Sequence, residues 1–160
     1  MTDRNILILC TGNSARSILG EVIASSLPGL KGFSAGSTPR GEVHPMAMNV
    51  LEAKGHKTVG LSSKQWDVYA GPDAPAMDVV ITVCDNAAGE ACPYWPGHPV
   101  QVHWGMPDPA AEESMNRQRI AFEDTYNALK KRLTKLAALD FEAMTEAELK
   151  DAAQAIHTQR

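Results

Sequence analysis

The sequence has few cysteines, no long apolar run and no excess of positive charge. Each shortage closes off a class of function. The longest apolar run near the start, Ile6-Leu7-Ile8-Leu9-Cys10, is far too short to span a bilayer. No basic region followed by a long apolar segment precedes a cleavage site, so no signal peptide is expected. The expected location is therefore cytoplasmic, where thiols are kept reduced. In that setting three cysteines are expected to be reactive rather than stapling. The net charge of −4 gives no global field that would draw in nucleic acid or anionic lipid. Neither nucleic acid nor a membrane is expected as a partner, and any anion site must be built locally. The one basic cluster, Lys130-Lys131-Arg132, reads as the solvated face of a helix. The five histidines, His44 and His103 among them, show no metal-ligand spacing and read as packing or capping residues.

What remains is an ordinary globular composition, with 44% hydrophobic and 21% charged residues in 160, enough for one domain with a sizeable core. Asn5–Cys10 is a continuous apolar run, as in a strand covered on both faces. Ser17–Leu27 carries Ile18, Leu19, Val22, Ile23 and Leu27 at helical spacing, and Pro28-Gly29 stops it. A second strand is expected at Gly32–Ala35 and a loop at Gly36–Glu42. Pro45 opens a helix that Gly55 ends. Residues 61–77 read mostly as loop with one short helix. Asp78–Cys84 is the strongest strand, β-branched and unbroken. Asp85–Pro99 has the composition of a mobile loop. Val100–Trp104 is a short fourth strand. A long helix is expected from about Ala111 to Ala138, its apolar stripe formed by Phe122, Tyr126, Leu129, Leu133 and Leu136. Thr145-Glu146-Ala147-Glu148 is a capping box that opens a last helix to about His157.

Strands alternate with helices, so the fold class is α/β. The expectation is a three-layer fold with a short four-stranded parallel sheet flanked by helices and a phosphate-binding loop after the first strand. Ligands of such sheets sit beyond the carboxyl ends of the strands. Cys10 ends the first strand and Cys84 the third, so both belong to one edge.

The chemistry concentrates in Cys10-Thr11-Gly12-Asn13-Ser14-Ala15-Arg16-Ser17. This segment joins a strand to a helix, so its backbone N–H groups can converge on an anion beside a helix start. Arg16 supplies a planar, permanently charged fork suited to two oxygens of phosphate or arsenate. The same field favours the thiolate of Cys10, the form that attacks. Ser17 can donate a hydrogen bond to that thiolate. Gly12 permits positive φ, and Asn13 tolerates it and can brace the loop through its amide. A bare Cys-x5-Arg is a weak pattern. Cys-x5-Arg-Ser between a buried strand and an amphipathic helix is a strong one.

Here the sequence resembles the low-molecular-weight protein tyrosine phosphatase fold, and within it the thioredoxin-coupled arsenate reductases. The resemblance covers roughly residues 4–138: the Cys10–Ser17 loop, Phe33-Ser34-Ala35-Gly36, and His103-Trp104-Gly105 leading into Asp108-Pro109-Ala110. It implies that Asp108 is the general acid for the leaving oxygen, aided by burial near Trp104 and Met106. Asp108 can also cap the helix that follows. In some members it implies a potassium ion near the loop, for which Asn13, Glu21 and Asp67 are the candidates. No tightly bound cofactor is expected. Residues 1–140 are expected to form the phosphatase-like reductase domain, and residues 141–160 an additional C-terminal helix past the usual family end.

Two features separate the branches. Phosphatases of this type usually follow Asp-Pro with aromatic residues that line a phosphotyrosine slot, whereas this chain has Asp108-Pro109-Ala110-Ala111. Many also carry a second cysteine in the loop, where this chain has Ala15. Cys84 and Cys92, in turn, look like a redox relay pair. The resemblance implies that Cys10 attacks arsenate and Cys84 then attacks Cys10, releasing arsenite. Cys92 next resolves Cys84, and thioredoxin recycles the redox-active disulfide. The expected function is arsenate reduction, as in arsenical resistance. The alternative is a protein tyrosine phosphatase using Cys10 and Asp108. A non-catalytic oxyanion sensor would not need the intact set of Cys10, Arg16 and Asp108.

Overall fold

A computed structural model of the chain describes residues 3–84, 95 and 99–158. Four strands form one parallel sheet: β1 (Arg4–Cys10), β2 (Leu30–Gly36), β3 (Val79–Thr82) and β4 (Val100–His103), in the order β2-β1-β3-β4. Four α-helices accompany them among the described residues: α1 (Arg16–Ser26), α2 (Pro45–Ala53), α3 (Met115–Ala137) and α4 (Glu146–Thr158). A single 3-10 turn at Trp66–Tyr69 is the short helix expected within 61–77. None of these helices is long and apolar enough to cross a membrane.

The apolar run of β1 is split between two cores, as strand alternation requires. Ile6, Ile8 and Cys10 face the larger core with α1, α3 and α4. Leu7 and Leu9 face a smaller core closed by Trp66, Met77 and Trp95. Trp95 lies in the segment expected as a loop, yet it is buried edge-on against Trp66, ring centroids 6.3 Å apart. Burial on both faces is what permits the unbroken apolar sequences of β1 and β3.

Some boundaries differ from the sequence reading, each for a local reason. β3 starts after Asp78, because the Asp78 carboxylate accepts from the Asn5 N–H at 2.7 Å and closes the strand there. The expected helix from Ala111 is two elements. Asp108 caps a 3-10 turn at Pro109–Ala111, and Ser114 accepts from Arg117 N–H at 3.1 Å to cap α3 afresh. Arg132 of the basic cluster is half-buried and lines a cavity with Ile156 and His157, so only part of that cluster forms a solvated face.

The expected capping box is present: Thr145 Oγ1 accepts from Glu148 N–H at 3.1 Å, and Glu148 accepts from Thr145 N–H at 3.2 Å. The helix it opens, α4, belongs to the main core through Leu149, Ala153 and Ile156. It also protects the β4 edge. Gln154 accepts from the His103 N–H at 2.9 Å and donates to the His103 carbonyl at 2.7 Å, and Trp104 Nε1 donates to the Ala153 carbonyl at 2.9 Å. Unpaired edge groups invite association, and one glutamine side chain satisfies two of them. Gln154→Ala is expected to lower stability by about 1–3 kcal/mol. Urea unfolding should show a lower midpoint at an unchanged slope.

Candidate active site

The loop after β1 wraps around its own nucleophile. The carbonyls of Thr11, Gly12 and Ser14 turn outward and accept from the N–H groups of Thr38 (2.9 Å), Arg40 (3.0 Å) and His44 (2.9 Å). No peptide bond among the described residues is cis, so each following N–H points to the side opposite its carbonyl. Asn13 N–H confirms the direction by donating to Cys10 Sγ at 3.2 Å. Helix α1 begins with Ala15 as its N-cap, which has no side-chain acceptor for the first-turn N–H groups. A tetrahedral oxyanion has the charge and the oxygens to act as that cap.

Asn13, not Gly12, takes the positive φ (43°) in the loop. Gly12 serves by leaving space, since a Cβ there would lie 3.2 Å from Arg40 Nε. Gly36 likewise admits the loop: a Cβ on it would sit 2.4 Å from the Thr11 carbonyl oxygen.

A directed hydrogen-bond chain holds Cys10. Lys64 N–H donates to Asn13 Oδ1 at 2.7 Å, which fixes the amide orientation. Asn13 Nδ2 then donates to Ser17 Oγ (2.8 Å) and Ser34 Oγ (3.0 Å), and Ser34 donates to Glu21 at 2.5 Å. Ser17 Oγ accepts from Asn13, so its own proton is free for Cys10 Sγ, 2.9 Å away. Asn13, Ser17 and Ser34 are fully buried and Cys10 is 3% exposed, so this polarity is aimed at the sulfur and not spent on water.

Of the potassium candidates, Asn13 and Glu21 are joined through Ser34, while Lys64 Nζ lies 3.6 Å from Glu21 Oε1. The Asn13 oxygen is already taken by Lys64 N–H and Glu21 by Ser34 and the ammonium. Asp67 sits in the Trp66–Tyr69 turn with its carbonyl accepting from Ala70 N–H.

Arg16 donates to the Met106 carbonyl at 2.9 Å and faces Asp108, Nη2 to Oδ2 3.9 Å. Asp108 does both things its sequence allows. Its Oδ1 accepts from Ala110 N–H at 3.0 Å, and Oδ2 remains toward Arg16. The expected burial beside Trp104 is not found. The Asp108 side chain is 35% exposed, and the Trp104 indole N–H donates to the Ala153 carbonyl. Together Cys10, Arg16, Asp108, Thr38, Arg40 and Ala110 wall a cavity of about 240 Å³.

The second thiol is close by. Cys84 follows β3 and is buried and free, like Cys10. Its Sγ is 3.3 Å from Thr11 Oγ1, the residue after the nucleophile. Cys92 lies outside the described residues. His44 has the capping and packing roles expected of it. His44 Nδ1 accepts from Met46 N–H at 3.0 Å as the N-cap of α2, and its ring packs on Phe122 at 4.9 Å. Burial, then the charge of Arg40, holds His44 below the usual histidine range. His103 faces Thr82 Oγ1 at 2.7 Å. Sequence reading alone does not single out Thr38, Arg40 or Lys64, whose roles arise from a segment laid beside the loop by tertiary contacts.

A cysteine at the end of a central parallel strand, inside an Arg-containing loop with an Asp-Pro opposite, defines the class. The family model for low molecular weight phosphotyrosine protein phosphatases matches residues 5–154, and the chain belongs to that family. Within it, the chain is similar to arsenate reductases. It is 33% identical to that of Bacillus cereus over 122 residues, covering 75% of this chain and 87% of the relative. It is 33% identical to that of Bacillus subtilis over 124 residues, covering 76% and 86%. A solved arsenate reductase in its phosphate-binding state superposes with a TM-score of 0.68 at 25% identity, covering 84% of this chain and 97% of that one.

Proposed function

We propose that this chain is an arsenate reductase in which three thiols act in turn. The Cys10 thiolate attacks arsenic, and an oxygen leaves as water with a proton from Asp108. The Cys84 thiolate then attacks Cys10 Sγ. The As–S electron pair stays on arsenic, so As(V) becomes As(III), arsenite departs and a Cys10–Cys84 disulfide forms. Cys92 attacks Cys84, freeing Cys10 and leaving a Cys84–Cys92 disulfide. Thioredoxin supplies the two electrons that reset it. This chemistry needs reduced thiols, which suits the cytoplasm.

The observation that carries this reading is Cys84 Sγ at 3.3 Å from Thr11 Oγ1, on the nucleophile's own loop. Phosphoester hydrolysis has no use for a second buried thiol there. The walls of the cavity also favour a small ligand, since they include the polar Thr38 and Arg40 and, among the described residues, no aromatic side chain to hold an aryl ester.

The test is arsenate-dependent NADPH oxidation with thioredoxin and thioredoxin reductase present. Turnover that requires all three cysteines supports the reading. Rapid, specific hydrolysis of phosphotyrosine peptides with no arsenate turnover would reverse it in favour of the phosphatase. Asp108→Asn is expected to lower kcat for arsenate about 10²-fold, the usual worth of a general acid.

A further inference from the structure

Arg40 stands at the mouth of the oxyanion cavity and takes no part in the steps above. Its backbone is fixed by the N–H that donates to the Gly12 carbonyl at 3.0 Å, flanked by the Thr38 and His44 bonds to the same loop. Its side chain folds back over the loop, with Nε and Cγ 3.2 and 3.3 Å from where a Gly12 Cβ would be. It lines the same cavity as Cys10, Arg16 and Asp108. Arg16 is held by Met106 and Asp108. Among the described residues no side-chain hydrogen bond or ion pair holds Arg40. A guanidinium placed over an anion hole, with no carboxylate paired to it among the described residues, favours a negatively charged ligand below it.

We infer that Arg40 is a second oxyanion clamp, which binds the outward-facing oxygen of free arsenate and so selects it over an aryl phosphoester and over the arsenite product. The choice of arsenate rests on the reductase reading; the clamp itself rests on the cavity. Attack by Cys10 from the floor leaves the opposite oxygen facing the mouth. In free arsenate or phosphate that oxygen is a charged or hydroxylic group within the guanidinium's side of the cavity. In an aryl ester the same direction is occupied by the bridging oxygen and its ring. Arsenate carries negative charge near neutral pH, whereas arsenite is a neutral acid. Arg40 therefore attracts the substrate and lets the product go. The same clamp makes inorganic phosphate a competitor.

The test uses the full-length protein with inorganic phosphate and arsenate as probes. Arg40→Ala is expected to weaken phosphate binding in calorimetry about tenfold, and to raise KM for arsenate by a similar factor, more than it lowers kcat. Hydrolysis of p-nitrophenyl phosphate should suffer less than arsenate reduction. Arg40→Lys should recover part of the loss, because it keeps the charge without the planar fork. It also provides the reading should Arg40→Ala unfold. Unchanged phosphate affinity in both variants would overturn the clamp. So would a fall in kcat at constant KM, or equal losses for arsenate and the aryl ester. If the wild-type protein reduces no arsenate at all, the reductase reading fails, and phosphate calorimetry alone decides on Arg40.

Discussion

Replacing Cys10 by Ser is expected to lower arsenate turnover by at least about 10⁴-fold, the scale on which removing a nucleophile acts. The substitution is nearly isosteric, and its consequences separate binding from chemistry. A serine hydroxyl can take the place of Sγ between Ser17 Oγ, at 2.9 Å, and Asn13 N–H, at 3.2 Å. The loop carbonyls remain bonded to Thr38, Arg40 and His44, so the anion cradle persists. Phosphate binding by calorimetry should therefore survive within a few-fold. What is lost is a thiol nucleophile and a sulfur that can accept attack by a second thiol. Hydrolysis of p-nitrophenyl phosphate must vanish together with arsenate reduction, because both begin on the same atom. Appreciable turnover by Cys10→Ser in either assay would move the nucleophile elsewhere.

Cys84→Ser is expected to give the opposite pattern. Thioredoxin-coupled arsenate turnover should fall to background, while hydrolysis of the aryl phosphate persists. Cys84 follows β3 beyond the part of the strand that pairs with β1. Its sulfur meets Thr11 Oγ1, which a serine at that position can still hydrogen-bond. The first step requires only the Cys10 loop and Asp108, so a Cys10 adduct can form. Without the second thiol its As–S bond has no attacker, and the two electrons cannot reach arsenic. Mass spectrometry of the variant mixed with arsenate should find no Cys10–Cys84 link and no released arsenite. If Cys84→Ser reduced arsenate as well as the wild type does, an external thiol would be resolving Cys10. The buried neighbour would then have only a packing role.

Much of this site was legible because its chemistry is local. Cys10, Arg16 and Ser17 sit in one strand–loop–helix segment, and the apolar run before it and the helical spacing after it say which way the loop faces. The sheet was legible too, since Ile6–Cys10 of β1 and Val79–Ile81 of β3 are apolar and bury both faces. Local pattern was silent where distant segments meet. Gly12 and Asn13 are both able to take a positive φ, and the sequence does not say that Asn13 takes it while Gly12 packs under Arg40 from the neighbouring segment. The Lys64 ammonium beside Glu21 reflects the parallel bridge that pairs Gly36 with Gln65. The separate caps of Asp108 and Ser114 are short-range, but the helical spacing that continues through them conceals the break. The contact between Trp104 and α4 is long-range, and no pattern near Asp108 reports it.

The most direct measurement of the thiol relay is a single turnover without thioredoxin. Fully reduced protein is mixed with excess arsenate, quenched in acid, and analysed for arsenite and for disulfide connectivity by peptide mass spectrometry. The expected result is about one arsenite per protein molecule with a Cys84–Cys92 disulfide and a free Cys10, the stoichiometry of one dithiol supplying two electrons. Release of phosphate from aryl esters with no arsenite formed from arsenate, or arsenite formed while Cys84 and Cys92 both remain thiols, would contradict the relay.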